Sequence, residues 1–311
     1  MTFLKVSELS ARYPSSLGQV YAVDDVDFEL ESGESMGIAG ESACGKSTLG
    51  LSIIRMLSSE ITTGKITFND DSILDMDESV FDDKFRWKKI SMIFQGAMNS
   101  LDPVFTVNEQ FIEILKQHNF DGDSEKIILD AINSVSLDEH VLKKYPHELS
   151  GGMKQRVVIA MALLLKPKFV IADEPTTALD VLIQAQIVNL LKALKKDGMS
   201  IMLITHDLAV LSEIADKIGI MYGGQMVEFG SSEEIYKNPK HPYTQGLLES
   251  IPTLKGNTPK YIKGIPPSLL DAPTECRFID RCPQAIEKCK QLPPKFKTTT
   301  GYVRCWLYED E

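Results

Sequence analysis

Short apolar segments alternate with longer amphipathic segments along much of the chain, a pattern typical of strands that alternate with helices. Residues 35–39, 168–172 and 201–205 are short and mostly apolar, and we expect each of them to form a buried strand. Residues 181–196 carry apolar side chains at helical spacing and predict an amphipathic helix that ends before Gly198. This alternation predicts an α/β fold with a parallel sheet.

Two regions predict antiparallel strands instead. Residues 1–34 read as short strands joined by turns, including 3–9 and 26–30, and predict a small antiparallel sheet. Residues 218–222 and 225–229 are joined by two glycines and predict a β-hairpin.

The strand pattern disappears between residues 95 and 165. Residues 106–117, 124–136 and 150–165 all have helical periodicity, so we expect a helical subdomain inserted at about residues 96–165. Residues 252–273 are rich in proline, glycine and lysine and predict an extended linker that lies on a surface.

Composition and charge exclude several classes of protein. The 311 residues include 33 basic and 44 acidic side chains, and the net charge of −11 argues against nucleic acid or anionic lipid as a general partner. The longest apolar run, residues 157–165, is far shorter than the ~20 residues of a membrane span. The N-terminus lacks the pattern of a signal peptide. We therefore expect a cytosolic protein that reaches a membrane only through a partner.

Residues 40–47, Gly-Glu-Ser-Ala-Cys-Gly-Lys-Ser, fit the pattern of a phosphate-binding loop. The loop lies between the strand predicted at 35–39 and a helix predicted at 47–57, which is the context that such a loop requires. Glycines allow successive backbone N–H groups to point at phosphate oxygens, and the helix dipole favours the anion. Lys46 is expected to reach the β- and γ-phosphates, and the Ser47 hydroxyl to bind Mg²⁺.

Two carboxylates, Asp173 and Glu174, follow the strand predicted at 168–172. A central parallel strand delivers the residues at its carboxyl end to the ligand edge of the sheet. We expect Asp173 to hold Mg²⁺, directly or through water, and Glu174 to polarise the attacking water.

At this point the chain resembles the ABC-type ATPases, and the resemblance covers about residues 1–235. Residues 149–156, LSGGMKQR, resemble the signature motif of that family. Gln95 matches the Q-loop, residues 177–180 the D-loop, His206 the switch histidine, and Tyr13 the aromatic residue that stacks on adenine. Tyr21 is a weaker rival for that last role. The resemblance implies a P-loop NTPase (RecA-like) core with an antiparallel β subdomain, an inserted helical subdomain and, in this chain, a C-terminal cysteine-containing extension.

The resemblance also implies the roles of particular residues. Those matching Ser150, Gly151 and Gly152 grip the γ-phosphate of ATP bound to the opposite subunit, so that two ATP molecules hold a head-to-tail pair together. His206 contacts the γ-phosphate and orients water, and Gln95 holds Mg²⁺ or water. The residues expected to bind nucleotide are Tyr13, Gly40, Glu41, Ser42, Ala43, Cys44, Gly45, Lys46, Ser47, Thr48, Gln95, Ser150, Gly151, Gly152 and Asp180. Glycine and serine are commoner where Ala43 and Cys44 stand, but small side chains should be tolerated because backbone N–H groups bind the phosphates.

A narrower resemblance comes from the last quarter of the chain. Residues 174–180, 241–244, 266–270 and 276–283 are similar to motifs of the oligopeptide, dipeptide and nickel importer ATPases. Such proteins lie at the cytoplasmic face of the membrane as peripheral subunits and usually pair with a sibling ATPase. Their partners are two transmembrane permease subunits and an extracytoplasmic solute-binding protein. The resemblance divides the chain into an ATPase domain, 1–235, and an importer-type extension, 236–311.

Four of the five cysteines, Cys276, Cys282, Cys289 and Cys305, are in that extension. Disulfides are disfavoured in the cytosol, and the tight cysteine pairs of zinc sites are missing. Spacing alone leaves an iron–sulfur cluster, zinc and free thiols open. Several importers of the resembled subfamily hold a four-iron four-sulfur cluster with this cysteine pattern, and this resemblance favours the cluster here. We expect such a cluster to be structural and far from the phosphate loop.

The leading hypothesis is an importer ATPase, which couples Mg²⁺-dependent hydrolysis of ATP to uptake of peptides or a related solute. A non-transport ABC ATPase of DNA repair or translation would carry long coiled coils or tandem cassettes, and this chain has neither. A regulatory module without turnover is disfavoured because Lys46, Glu174 and His206 are all present. The sequence leaves open whether the cargo is a peptide, nickel or an oligosaccharide.

Overall fold

The structure is a computed structural model that describes residues 2–96, 100–177, 179–251 and 261–309. Contacts divide the chain into two compact units. Unit 1 comprises Met1–Asp75 and Leu203–Glu311, and unit 2 comprises Met76–Met202. The linker predicted at 252–273 lies partly outside the described residues.

The helices and strands, in chain order, cover both units. They are β1 (Thr2–Ser15), β2 (Gly18–Glu31), β3 (Met36–Ala39), α1 (Lys46–Ile53), β4 (Thr62–Phe68), β5 (Asp71–Ser72), α2 (Glu78–Lys84), β6 (Ile90–Ile93), α3 (Val107–Gln117), α4 (Ser124–Ser134), α5 (Gly151–Leu163), β7 (Phe169–Asp173), α6 (Val181–Lys196), β8 (Ser200–Ile204), α7 (Leu208–Ile214), β9 (Lys217–Tyr222), β10 (Gln225–Ser231), α8 (Ser232–Lys237), α9 (Pro242–Glu249), β11 (Phe296–Lys297) and β12 (Tyr302–Val303). The predicted α/β class is confirmed.

Unit 1 contains the antiparallel sheet predicted for residues 1–34, but that segment forms two strands of 14 residues each, and β4 and β5, which were not predicted, extend the sheet in the order β2-β1-β4-β5. The long strands β1 and β2 pair along most of their length. Phe28 of β2 lies 6.4 Å from the ring of Phe229 in β10, so this sheet packs against the second sheet of the unit. The buried aromatic and aliphatic side chains between the two sheets form the core of unit 1.

The second sheet of unit 1 carries the phosphate loop. Its described strands run in the order β11-β12-β10-β9-β3, and β3 is parallel to β9. The predicted hairpin is confirmed: Gly223 and Gly224, with φ of 55° and 82°, join β9 to β10. Positive φ at both positions suits a tight hairpin turn and explains the glycine pair.

The tail adds two strands that the sequence did not predict. Glu228 and Phe229 of β10 pair with Val303 and Tyr302 of β12, which pairs in turn with β11. Each tail strand has only two residues, too few to produce an alternating pattern. The C-terminal extension is therefore joined directly to the sheet that carries the phosphate loop.

Unit 2 contains the parallel strands β6 and β7 together with the helices α2 to α6. The helices predicted at 106–117, 124–136 and 150–165 are confirmed as α3, α4 and α5, with small differences at their ends. Helix α6 covers the predicted residues and is followed by Gly198 at φ 90°. In the parts of the chain that the structure describes, no helix is long and apolar enough to cross a membrane.

Strand β8 contains the boundary between the units. Ser200 at its start donates its N–H to the carbonyl of Lys168 in unit 2, at 3.1 Å. Thr205, just after its end, donates to the carbonyl of Ile38 in unit 1, also at 3.1 Å. His206 follows at once, so the strand places this histidine in unit 1.

Candidate nucleotide-binding site

The phosphate loop in unit 1 turns from the end of β3 into the start of α1. Gly40 and Gly45 have φ of 152° and 101°. A Cβ atom at Gly40 would lie 2.1 Å from the carbonyl oxygen of Met221, and one at Gly45 would lie 2.0 Å from that of Ala22. Both positions therefore require glycine for backbone conformation and for space.

Lys46 is the best-anchored side chain of the loop. It is only 6% exposed, and its Nζ donates to the carbonyl oxygens of Gly40 and Glu41, at 2.8 Å in each case. Ser42 and Ala43, which lie between Glu41 and Lys46 in the sequence, are exposed. The loop thus surrounds one buried ammonium group and faces solvent with its middle residues, as a site for an anion would.

The two unusual residues of the loop, Ala43 and Cys44, have different environments. Ala43 has φ of 62°, a left-handed conformation that favours the glycine commoner in this motif. Cys44 is buried, with Sγ 3.8 Å from Nζ of Lys46. Burial raises the pKa of the Cys44 thiol more than Lys46 lowers it. The Cys44 thiol is therefore protonated at neutral pH and poorly reactive.

Glu41 joins the phosphate loop to the C-terminal extension. Its carboxylate accepts hydrogen bonds from both terminal nitrogens of Arg281, at 2.7 and 2.8 Å. Its backbone N–H donates to Oη of Tyr243, at 2.9 Å. The cysteines were expected to lie far from the phosphate loop, but the residue next to Cys282 contacts that loop directly. Contacts between residues about 200 or more positions apart leave no trace in local sequence patterns.

His206 lies beside the phosphate loop. It lines a cavity of about 400 Å³ together with Gly40, Glu41, Asp207 and Leu247. Asp207 accepts hydrogen bonds from the N–H groups of Ala209 and Val210 and so caps α7. The structure therefore brings the predicted switch histidine to the loop that is expected to bind phosphate.

In unit 2, Asp173 and Glu174 lie at the carboxyl end of β7. Asp173 is buried at 2% exposure, as the last residue of the strand. Glu174 has φ of 45°, and its Oε2 accepts hydrogen bonds from Nε2 of Gln95 at 3.0 Å and from Oγ1 of Thr177 at 2.9 Å. A left-handed non-glycine residue is uncommon, and such conformations are concentrated at functional sites. The structure brings Gln95 and Glu174 together; sequence analysis had placed Thr177 in the D-loop but had not predicted its contact with Glu174.

The signature residues begin a helix. Oγ of Ser150 accepts a hydrogen bond from the N–H of Met153 at 3.3 Å and caps α5. A Cβ atom at Gly152 would lie 2.9 Å from Cγ2 of Ile183 in α6. Asp180 caps α6 by accepting a hydrogen bond from the N–H of Ile183 at 3.0 Å. Two capped helix starts therefore pack closely in unit 2, while Ser150, Gly151 and Asp180 remain exposed. Ala178 of the predicted D-loop lies outside the described residues.

The two candidate adenine-stacking tyrosines are on neighbouring strands of unit 1. Tyr13 of β1 is half-buried and pairs with Val20. The guanidinium of Arg12 lies 4.8 Å from the ring centre of Tyr21, so one face of that ring is already covered. This arrangement favours Tyr13 over Tyr21 as the residue that stacks on a base.

All four tail cysteines are in unit 1, and two of them are joined by a backbone hydrogen bond. The N–H of Cys276 donates to the carbonyl of Cys289 at 3.0 Å, and both Cys289 and Cys305 are buried. Burial, with a smaller contribution from neighbouring thiols, raises the pKa of Cys276 to about 12 and that of Cys305 to about 11. Among the described residues, no group of three or more His, Cys, Asp or Glu side chains is arranged to hold a metal ion.

Comparison with known proteins places this geometry in a family. Residues 23–177 match the family described as ABC transporter, and residues 227–289 match the oligopeptide/dipeptide transporter C-terminal region. The chain is 44% identical to the oligopeptide transport ATP-binding protein AppD of Bacillus subtilis, over 100% of this chain and 98% of that protein. It is 44% identical to the oligopeptide transport ATP-binding protein OppD of Escherichia coli, over 97% of this chain and 91% of that protein.

Another relative and a solved structure agree with this assignment. The dipeptide transport ATP-binding protein DppD of Bacillus subtilis is 41% identical over 98% of this chain and 95% of its own length. The ATP-binding cassette MJ0796, solved as a dimer bound to ADP and Pi, has a TM-score of 0.66 and 28% identity, and the match covers 74% of this chain and 99% of that chain. The chain therefore belongs to the ABC transporter family, as an ATP-hydrolysing transport subunit of the group that carries the oligopeptide/dipeptide C-terminal region.

Proposed function

We propose that the protein couples the binding and hydrolysis of ATP to the uptake of peptides or a related solute. The observation that carries the proposal is similarity to oligopeptide and dipeptide transport ATP-binding proteins along nearly the whole chain. This similarity includes the C-terminal region, which supports division into an ATPase domain at 1–235 and an importer-type extension at 236–311. It also favours peptides over nickel or oligosaccharides as cargo.

The residues of unit 1 are assigned to nucleotide binding. Tyr13 stacks on adenine, and backbone N–H groups within residues 40–48 bind the phosphates. The N–H of Glu41 is the exception, because it donates to Oη of Tyr243. The buried ammonium of Lys46 supports this role because it can exchange its two carbonyl acceptors for phosphate oxygens, which form stronger, charge-assisted bonds. His206 contacts the γ-phosphate, and its position in the cavity beside Gly40 supports this assignment.

The residues of unit 2 are assigned to hydrolysis. Asp173 and Gln95 carry a carboxylate and an amide oxygen, which are of the kinds that Mg²⁺ prefers, and Ser47 in unit 1 carries a hydroxyl oxygen that is also suited to Mg²⁺. Bound Mg²⁺ would neutralise charge that develops on the phosphates. Glu174 acts as the general base towards water, and the hydrogen bonds from Gln95 and Thr177 hold its carboxylate in place.

The exposed helix starts are assigned to a second ATPase subunit. The N–H groups after Ser150, at the start of α5, suit a phosphate group of ATP held by that partner, and Asp180 contacts the same partner. The partner is a sibling chain, so that the pair is a heterodimer. The pair acts at the cytoplasmic face of the membrane with two permease subunits and an extracytoplasmic solute-binding protein. The charge of −11 supports the absence of nucleic acid as a partner.

The expected result of deleting the gene in its natural host is loss of uptake of radiolabelled peptides. Wild-type protein restores uptake, and the Glu174→Gln variant does not, because transport requires turnover. Glu113→Gln, an exposed glutamate on α3, serves as the control that restores uptake. Normal peptide uptake in the deletion strain, or loss of nickel or oligosaccharide uptake alone, would contradict the assignment to peptides.

We also propose that Cys276, Cys282, Cys289 and Cys305 hold a four-iron four-sulfur cluster. The backbone hydrogen bond from Cys276 to Cys289 supports the proposal because it joins two members of the set, and other cysteines of the set contribute to the raised pKa values of Cys276 and Cys305. The residues are not arranged as a site for a single ion. A four-iron cluster is larger than a single ion, and its cysteine ligands lie further apart.

Protein purified without oxygen is expected to contain about four iron and four sulfide ions per chain. Cys305→Ser removes one ligand and should lose the iron. Cys44→Ser, which changes the only cysteine outside the set, should retain it. Elemental analysis decides the matter: stoichiometric zinc without iron would identify a zinc site, and neither metal would leave four free thiols.

A further inference from the structure

Three contacts hold Glu41 at the entrance of the phosphate loop. Its carbonyl oxygen accepts a hydrogen bond from Lys46, and its N–H donates to Oη of Tyr243. Its carboxylate accepts a hydrogen bond from each terminal nitrogen of the Arg281 guanidinium. The position of Glu41 therefore affects the position of the Lys46 ammonium, and two of the three contacts come from the C-terminal extension.

Arg281 is built into the extension as a rigid cation. Its side chain is 4% exposed, whereas that of Glu41 is 27% exposed. Its Nε donates to the carbonyl of Lys263 at 3.0 Å, Nη2 to that of Ile262 at 3.3 Å, and Nη1 to Oη of Tyr222 at 3.2 Å. These bonds fix the planar guanidinium in the orientation that a two-pronged carboxylate contact requires.

The charge of Glu41 is a problem for a loop that binds a polyphosphate. A carboxylate beside the phosphates repels them, and the repulsion is strong where the groups are shielded from water. Arg281 neutralises this carboxylate and holds both of its oxygens by hydrogen bonds of 2.7 and 2.8 Å. Without Arg281, the loop would keep its shape only by leaving a half-buried negative charge without compensation.

We propose that Arg281 is a positioning residue for nucleotide binding: by neutralising and fixing Glu41, it allows the phosphate loop to accept the polyphosphate of Mg-ATP. The proposal rests on the proposed function, because it requires that this loop binds ATP. Because Arg281 belongs to the C-terminal extension, the extension would then contribute directly to the affinity of the protein for nucleotide. Arg281 immediately precedes Cys282, so the segment that carries the cysteines also carries this contact.

The test measures binding of the non-hydrolysable ATP analogue adenylyl imidodiphosphate, with Mg²⁺, to the full-length chain by calorimetry. Arg281→Met should weaken binding about tenfold, because it leaves the Glu41 carboxylate unpaired. The double variant Glu41→Gln/Arg281→Met should bind within about threefold of Glu41→Gln alone and more tightly than Arg281→Met, because the uncompensated charge is gone. Arg277→Met is the matched control: Arg277 is in the same segment but donates to the carbonyl of Ser268.

A second readout separates positioning from general damage. In the ATPase assay of the assembled transporter, Arg281→Met should raise KM for ATP about tenfold and change kcat less than about twofold. If Arg281→Met does not fold, Arg281→Lys is measured instead, because lysine keeps the positive charge but cannot make two parallel hydrogen bonds to the carboxylate. We expect Arg281→Lys to bind the ATP analogue about threefold more weakly than the wild type.

The outcomes separate this inference from the function on which it rests. Wild-type affinity in a folded Arg281→Met variant, or in Arg281→Lys where Arg281→Met does not fold, would overturn the inference. A double variant as weak as Arg281→Met would also overturn it, since the effect would then not come from charge. No binding by the wild-type chain would overturn the proposed function itself, and this inference with it.

Discussion

Glu174→Gln will leave ATP binding nearly unchanged and lower the ATPase rate by about 10²–10⁴-fold, the contribution typical of a general base. Glutamine keeps the size and one oxygen of the side chain, so the contact with Thr177 can survive. It removes the charge that polarises water. The variant should therefore accumulate in the ATP-bound state, with the two ATPase subunits held together.

Two measurements check this prediction. Steady-state phosphate release from the assembled transporter gives the rate, and size-exclusion chromatography with ATP reports the trapped pair. The control Glu113→Gln, on an exposed face of α3, should behave like the wild type in both. A wild-type rate in Glu174→Gln would show that another group is the base.

Lys46→Met is expected to weaken ATP binding by about a hundredfold or more, because it removes the one buried cation that the phosphate loop surrounds. Methionine fills similar space without the charge or the donors. The carbonyls of Gly40 and Glu41 lose their bonds to the ammonium, which should also lower the free energy of unfolding by about 1–3 kcal/mol.

Calorimetric titration with the ATP analogue measures the loss of affinity, and thermal unfolding measures the change in stability. Lys65→Met, which changes an exposed lysine of β4, is the control and should affect neither. Tight binding by a folded Lys46→Met variant would place the phosphates elsewhere in the protein.

Local patterns predicted the elements that carry the site. The span of α6 follows from apolar spacing between the Asp180 cap and Gly198, because both helix ends are marked by residues with a physical reason to be there. The strand before the phosphate loop and the one before Asp173 are short apolar runs, and both are present as β3 and β7. The hydrophobic pattern is sufficient to predict a helix or strand when the residues that form the element are the same residues that carry the pattern.

The sequence could not predict the contacts between distant segments. Gln95 and Glu174 were both expected at the site, but their hydrogen bond joins residues 79 positions apart. The bond between Arg281 and Glu41 spans 240 positions, and nothing in the local pattern of either residue indicates the other. Both Arg277 and Arg281 lie between Cys276 and Cys282, and nothing in the sequence distinguishes the one that contacts Glu41 from the other.

Backbone conformation was the other missing information. Ala43 and Glu174 both adopt positive φ, although neither is glycine. Local propensity predicts an ordinary backbone conformation at such positions. The left-handed conformation costs about 1–3 kcal/mol of free energy and persists because the surrounding fold stabilises it. Both residues lie in segments to which we assign a role in ATP binding or hydrolysis.

The ATPase rate of the purified assembly, measured with Mg-ATP in the presence and absence of peptide-loaded binding protein, tests the central claim most directly. We expect hydrolysis that increases when the loaded binding protein is added and that is lost in both Lys46→Met and Glu174→Gln. An ATPase rate that neither substitution reduces would contradict the claim that this chain hydrolyses ATP to drive transport.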